Sequence, residues 1–157
     1  MKNYKDIIFE NCGDNISDDL LAAISVIFCA NLPANYKRFL EKINGGVPDK
    51  NKIIINHKVI DIVHFFGITS RSRMNLLGGL IYKREYPKRM IPIVETLEWD
   101  LIVMSLKNPD RGKIYHWDSS YESEITDPEN IGSDNLTLLA NSFDEFLDML
   151  YKDDTLN

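Results

Sequence analysis

The sequence predicts an α+β fold: an antiparallel β-sheet flanked by N-terminal helices and a C-terminal helix. Three observations predict it. Helical periodicity is strongest at the two ends of the chain. Runs of β-branched and aromatic residues fill the middle. The turn between the last two of those runs suits antiparallel pairing and is too short for a parallel crossover.

Asn15 to Ala30 reads as the first helix. Leu20, Ile24 and Ile27 recur at helical spacing, and Leu21 and Phe28 widen the stripe. Ser17 suits the N-cap, and Asp18 and Asp19 suit the positive end of the helix dipole. A second helix starts at Pro33, where no N–H is needed, and presents Tyr36, Phe39, Leu40 and Ile43. Asn44-Gly45-Gly46 stops it. Ile53-Ile54-Ile55 and Val59 to Phe66 read as strands that turn around Asn56-His57-Lys58. Residues 70–86 read as helical from Met74, Leu77 and Ile81, against a penalty of about 2 kcal/mol for Gly78-Gly79.

Three strands follow: Met90 to Glu95, Leu101 to Leu106, and Lys113 to Asp118. The turn from Lys107 to Gly112 joins the last two. Ser142-Phe143-Asp144-Glu145 is a capping box, and Phe143, Phe146, Leu147 and Leu150 form the stripe of the helix it opens.

With 157 residues, 44% hydrophobic and 27% charged, the chain is expected to form a single domain over 1–157, with a core of about 16–151 and a short acidic tail, 152–157. Disorder, collagen and a disulfide scaffold are excluded as whole-chain descriptions. Two cysteines without a CxxC spacing point to reduced thiols, hence a cytoplasmic location. Cys12 is expected to be the more exposed, because Cys29 sits beside the first helix's apolar run. The longest apolar stretch, Leu20 to Ala30, is too short to span a bilayer, and acids precede it where a signal peptide needs bases.

The net charge is −6, from 18 basic and 24 acidic residues. A surface of that sign is repelled by nucleic acid and anionic membrane and steers toward basic partners. The charge is uneven. Arg71 to Arg89 holds six bases and one acid, whereas Asp118 to the C-terminus holds eleven acids and one base. Tyr82 and Tyr86 interleave with the bases of the first segment, but no nucleic-acid-binding motif accompanies them.

No catalytic constellation stands out, and no cofactor or metal is expected. There is no phosphate-binding glycine loop, no HExxH and no GxSxG. His57 and His64, seven apart, would point to opposite faces of a continuous strand. His116 and Asp118 would share a face and could pair, but one pair is not a metal site.

Several segments carry a resemblance. Leu32-Pro33-Ala34-Asn35-Tyr36-Lys37-Arg38-Phe39-Leu40, followed by Asn44-Gly45-Gly46, is similar to the LPxxYxxFLxxxNGG signature of the SUKH superfamily. That superfamily includes the fungal cell-wall-assembly regulators of the Smi/Knr type. His64 to Ile68, Ile91-Pro92-Ile93, Asp100-Leu101-Ile102, Lys113 to Asp118 and Ala140 to Leu147 resemble its later motifs, in its order. Members commonly carry glycine just before the aspartate that matches Asp100. Here Glu98-Trp99 precede it, so that turn is expected to be built differently.

The resemblance implies an α+β domain of the bacterial immunity-protein branch, without catalytic residues. Such proteins bind and block a toxin domain of a polymorphic toxin system, often a nuclease or deaminase. The regulatory scaffolds of the cell-wall-signalling type, the alternative, carry long disordered extensions. The expected partner is a basic cognate toxin, with the chain itself a monomer or weak homodimer. Because the motif residues read as structural, partner binding is expected at acids and aromatics that the motifs do not fix. These are Glu95, Glu98, Trp99 and Asp100 before one strand, and Asp118, Tyr121, Glu122 and Glu124 after another.

Overall fold

Among the residues described (1–69, 74–81, 86–120 and 122–154), the computed structural model contains two antiparallel sheets. The smaller is ordered β1 (Lys2–Tyr4), β2 (Ile7–Glu10), β3 (Val47–Pro48). The larger is a meander of β4 (Lys52–Ile55), β5 (Lys58–Phe65), β6 (Met90–Thr96), β7 (Leu101–Ser105), β8 (Ile114–Trp117) and β9 (Leu136–Ala140). Helices α1 (Asp18–Ile27) and α2 (Ala34–Lys42) connect β2 to β3. Helix α3 (Leu76–Ile81) lies between β5 and β6, and α4 (Phe143–Asp148) follows β9. This is the α+β architecture with a C-terminal helix that the sequence predicts.

Local signals place the helix ends. The Ser17 hydroxyl accepts the Leu20 N–H, and the Ser142 hydroxyl accepts the Glu145 N–H. Glu145 completes the α4 cap by reaching back to the Asn141 N–H. The β4–β5 hairpin turns through Asn56 and His57 at φ 51° and 65°, the left-handed pair that matches strand twist.

The structure adds β1, β2, β3 and β9 to the predicted elements. Within the predicted 70–86 helix, Leu76–Ile81 is helical. Arg71, Arg73, Tyr82, Lys83 and Arg84 lie outside the described residues, as does Tyr121. The first fifteen residues lie outside the core read from sequence, yet Tyr4, Ile7 and Phe9 are buried.

Helix α2 is the centre of packing because both its long aromatics face inward. The Phe39 ring meets Tyr4 at 5.7 Å, Phe9 at 5.4 Å, Phe65 at 5.4 Å and Phe143 at 5.1 Å between centroids. It therefore touches both sheets and α4 at once. Asn44, at the end of α2, is buried with φ 58°. Its side-chain amide donates to Asp14 O and Ile68 O, and its carbonyl oxygen accepts Ile68 N–H.

Replacing Phe39 with alanine is expected to cost about 3–5 kcal/mol, as for other buried aromatic truncations. Val26→Ser, on the open side of α1, is expected to change stability by less than about 0.5 kcal/mol. Urea unfolding of the two variants checks the contrast.

Candidate functional site

Strand register brings the candidate residues to one end of the larger sheet. Ile62 opposes Thr96, Leu101 opposes Trp117, and Trp117 opposes Leu136. The β6–β7 turn and the long β8–β9 connection therefore leave the sheet at the same end. The β4–β5 turn lies there too, since Lys58 Nζ reaches the Glu98 carboxylate at 2.9 Å.

The β6–β7 turn is closed by its own backbone. Trp99 N–H donates to Thr96 O at 3.1 Å, and Thr96 N–H to Asp100 O at 3.0 Å. This three-residue loop ends on a left-handed residue, the place usually given to glycine. Trp99 occupies it, at φ 68°. The residue before Asp100 thus has the conformation glycine favours, with tryptophan in it. A left-handed non-glycine residue carries a penalty of about 1–2 kcal/mol. Trp99 is 63% exposed, and so is Leu97, two residues earlier.

Asp100 does not face solvent. It is 4% exposed, so the expectation that it belongs to a docking surface is corrected. Its carboxylate meets His116 Nε2 at 2.9 Å, and accepts the Ser119 N–H and hydroxyl, each at 2.8 Å. Burial alone would raise its pKa, but the hydrogen bonds from His116 and Ser119, with the His116 charge, outweigh that and hold it below the usual value. The pairing of His116 with Asp118 is corrected by the same contacts. His116 shares its face with Ile102 and reaches across to Asp100. Asp118 instead caps the next turn, accepting the Ser120 N–H.

The connection 118–135 forms a closed loop. Asp118 N–H donates to Asn135 O, and the Asn135 side chain donates to Asp118 O. Inside it, the Ser123 hydroxyl donates to Asp134 and accepts the Gly132 and Ile125 N–H groups. The loop carries Asp118, Glu122, Glu124, Asp127, Glu129 and Asp134 and no base. The Glu129 amide and Asn130 side chain lower the pKa of Asp127, and the Ser123 hydroxyl and Glu124 amide lower that of Asp134. Glu129 pairs with Lys88 at 3.3 Å, whereas Glu122 and Glu124 are exposed and form no ion pair among the described residues.

Glu98 is partly neutralised by Lys58. Glu95 is half-buried, on the face shared by His64 and Leu101. The sequence reading missed Leu97, which stands in the turn, and Asp127, Glu129 and Asp134. The absence of any base from 118 to 135 is the signal that could have found those acids. Cys29, past the end of α1, is the exposed thiol, and Cys12 is half-buried beneath Gly46, which corrects the expected order. Among the described residues, no group of three His, Cys, Asp or Glu side chains could hold a metal ion, and no helix is long and apolar enough to cross a membrane.

Asp100→Asn is expected to destabilise the fold by about 1–3 kcal/mol at pH 7, because charge-assisted bonds are replaced by weaker ones. A carboxylate with a lowered folded pKa stabilises above its unfolded pKa of about 3.9, and the gain is lost as pH falls through the folded value. The difference between wild type and variant should therefore shrink below pH 4, which thermal unfolding across pH 2.5–7 checks.

No curated protein matches the chain in sequence. The SMI1 / KNR4 family (SUKH-1) model matches residues 15–149, a span from the approach to α1 through the end of α4 that contains the turn at Trp99 and the acidic loop. The chain belongs to the SMI1 / KNR4 family (SUKH-1).

Proposed function

We propose that this chain is a non-catalytic immunity protein that neutralises a basic toxin domain, a nuclease or deaminase, by docking through the acidic end of its larger sheet. Family membership supports a protein-interaction role. The observation that carries the specific reading is the juxtaposition of exposed Trp99 and Leu97 with a six-acid loop that lacks any base. A toxin that grips phosphates is basic, so an acidic inhibitor gains association rate by steering and specificity by charge placement. A flat acidic surface gives little affinity by itself. Tryptophan at its edge supplies the apolar anchor on which binding energy concentrates.

Trp99, Glu122 and Glu124 are the principal contact residues in this reading. Asp118, Tyr121, Glu95 and Glu98 lie around them in sequence or in space. Asp100 acts from beneath, holding Ser119 and thereby the start of the loop.

The test is co-expression with the protein encoded by the neighbouring upstream gene, followed by capture at low and high salt. A tight complex that weakens as salt screens the charges supports the reading. Capture that ignores salt overturns the electrostatic part, and no capture at either salt overturns the whole in favour of a regulatory scaffold.

Two variants sharpen it. Trp99→Gly should bind about 30-fold more weakly, the loss of a ~2 kcal/mol anchor. Its melting temperature should be unchanged or higher, because glycine suits the left-handed turn. Glu122→Lys combined with Glu124→Lys should slow association at least about tenfold at low salt and flatten its salt dependence. Stopped-flow association kinetics separate the two effects.

A further inference from the structure

We infer that β9 is an open sheet edge onto which a basic, extended segment of the partner adds as a further strand. The inference rests on the reading of the chain as a binder of a basic protein and names how that partner is held.

The two edges of the larger sheet are built differently. At β4, Lys52 exchanges backbone hydrogen bonds with Tyr151, at 3.1 and 3.0 Å, so the start of that edge is occupied. Lys50 and Lys52 also place positive charge on it, a common guard against added strands. At β9, no strand pairs with the outer side among the described residues. Its sequence, Leu-Thr-Leu-Leu-Ala, has no charge and no proline to discourage pairing, and its ladder with β8 shifts register only past Leu138, at Leu139.

The ladder fixes which backbone groups face outward. Asp118 N–H donates to Asn135 O, and the register sets His116 opposite Thr137 and Tyr115 opposite Leu138. Bonding residues alternate along an antiparallel strand. Asn135 and Thr137 therefore turn toward β8, and Leu136 and Leu138 turn toward the free edge. The Leu136 N–H is held by Ser133 O. That leaves the Leu136 carbonyl and both backbone groups of Leu138 aimed at a strand to come. The Leu138 side chain is half exposed beside them.

Charge selects the occupant. The acidic loop runs directly into β9, with Asp134 two residues before it. A strand laid along β9 has one end beside those acids, so a segment carrying Lys or Arg gains attraction there, and an acidic one is repelled. Main-chain bonds then give affinity and the adjacent charges give selectivity.

The probe is an acetylated, amidated octapeptide of alternating Lys and Val, titrated into the isotope-labelled full chain at low salt. Amide hydrogen exchange is expected to slow at least tenfold at Leu138 on saturation, while the β4 edge is unchanged. Leu138→Pro removes the outward N–H, and Leu138→Lys adds a guarding charge while leaving the backbone able to pair within the sheet. Each should weaken the peptide at least tenfold by calorimetry. The lysine variant keeps the test decisive if the proline variant fails to fold.

Slowing confined to residues 122–134 would overturn the edge and leave the acidic loop as the whole surface. No binding of the peptide would also overturn it, whereas capture of the upstream gene product decides separately whether the chain binds a basic toxin. Slow exchange at Leu138 in the free chain, together with dimer formation by sedimentation, would assign the edge to a second copy and overturn the inference.

Discussion

Asn44 joins three stretches of chain that are far apart in sequence. Its side chain binds the backbone at Asp14 and at Ile68, and its own carbonyl accepts the Gly13 N–H at 2.9 Å. Each net hydrogen bond contributes only about 1 kcal/mol, but leaving such groups buried without partners costs more, so the joint specifies position more than it adds stability. The close approach is possible because Gly45 and Gly67 have no Cβ. One at Gly67 would stand 2.3 Å from Asn44 O. With the end of α2 pinned to the end of β5, Phe39 is fixed between the sheets, and the aromatic cluster forms around it.

From that anchored strand, register carries order outward to the far end of the sheet. β5 sets β6, and β7 and β8 return the chain to the same end, so residues 95–100 meet residues 118–135 across a hairpin. Asp100 locks the meeting. Its carboxylate holds Ser119 by backbone and side chain, which starts the acidic loop beside the turn that displays Trp99. The buried acid and the exposed tryptophan are neighbours in the chain, and one supports what the other presents.

What could be read from sequence was what depends on neighbours in sequence. Ser17 and Ser142 cap helices, and Asn56-His57 makes a hairpin, because each acts within three residues of its partner. The inward stripe of α4 was legible for the same reason. β1 and β2 are short strands held by contacts with residues distant in sequence, Phe39 and Phe65 among them, so nothing local announced them. The partner of His116 was misread because the choice between Asp100 and Asp118 is made by pairing across strands. At the candidate site the charge asymmetry was visible, but exposure was not. Composition could not say that Trp99 faces outward and Asp100 inward, since a single backbone reversal separates them.

Apart from Glu129, which pairs with Lys88, the acids of the loop divide into two kinds. Asp118, Asp127 and Asp134 accept hydrogen bonds from nearby backbone or hydroxyl groups and so shape the loop that carries them. Their charge and the loop's order are one property, and removing them disturbs both. Glu122 and Glu124 have exposed side chains with no such bonds among the described residues. A folding role gives no reason for a carboxylate at either place, and like charges close together on one loop repel one another. Under the proposed reading, negative charge that makes no internal contact among the described residues is free to meet a positive surface of the partner. That argument is stronger for these two glutamates than for any acid that also closes a turn.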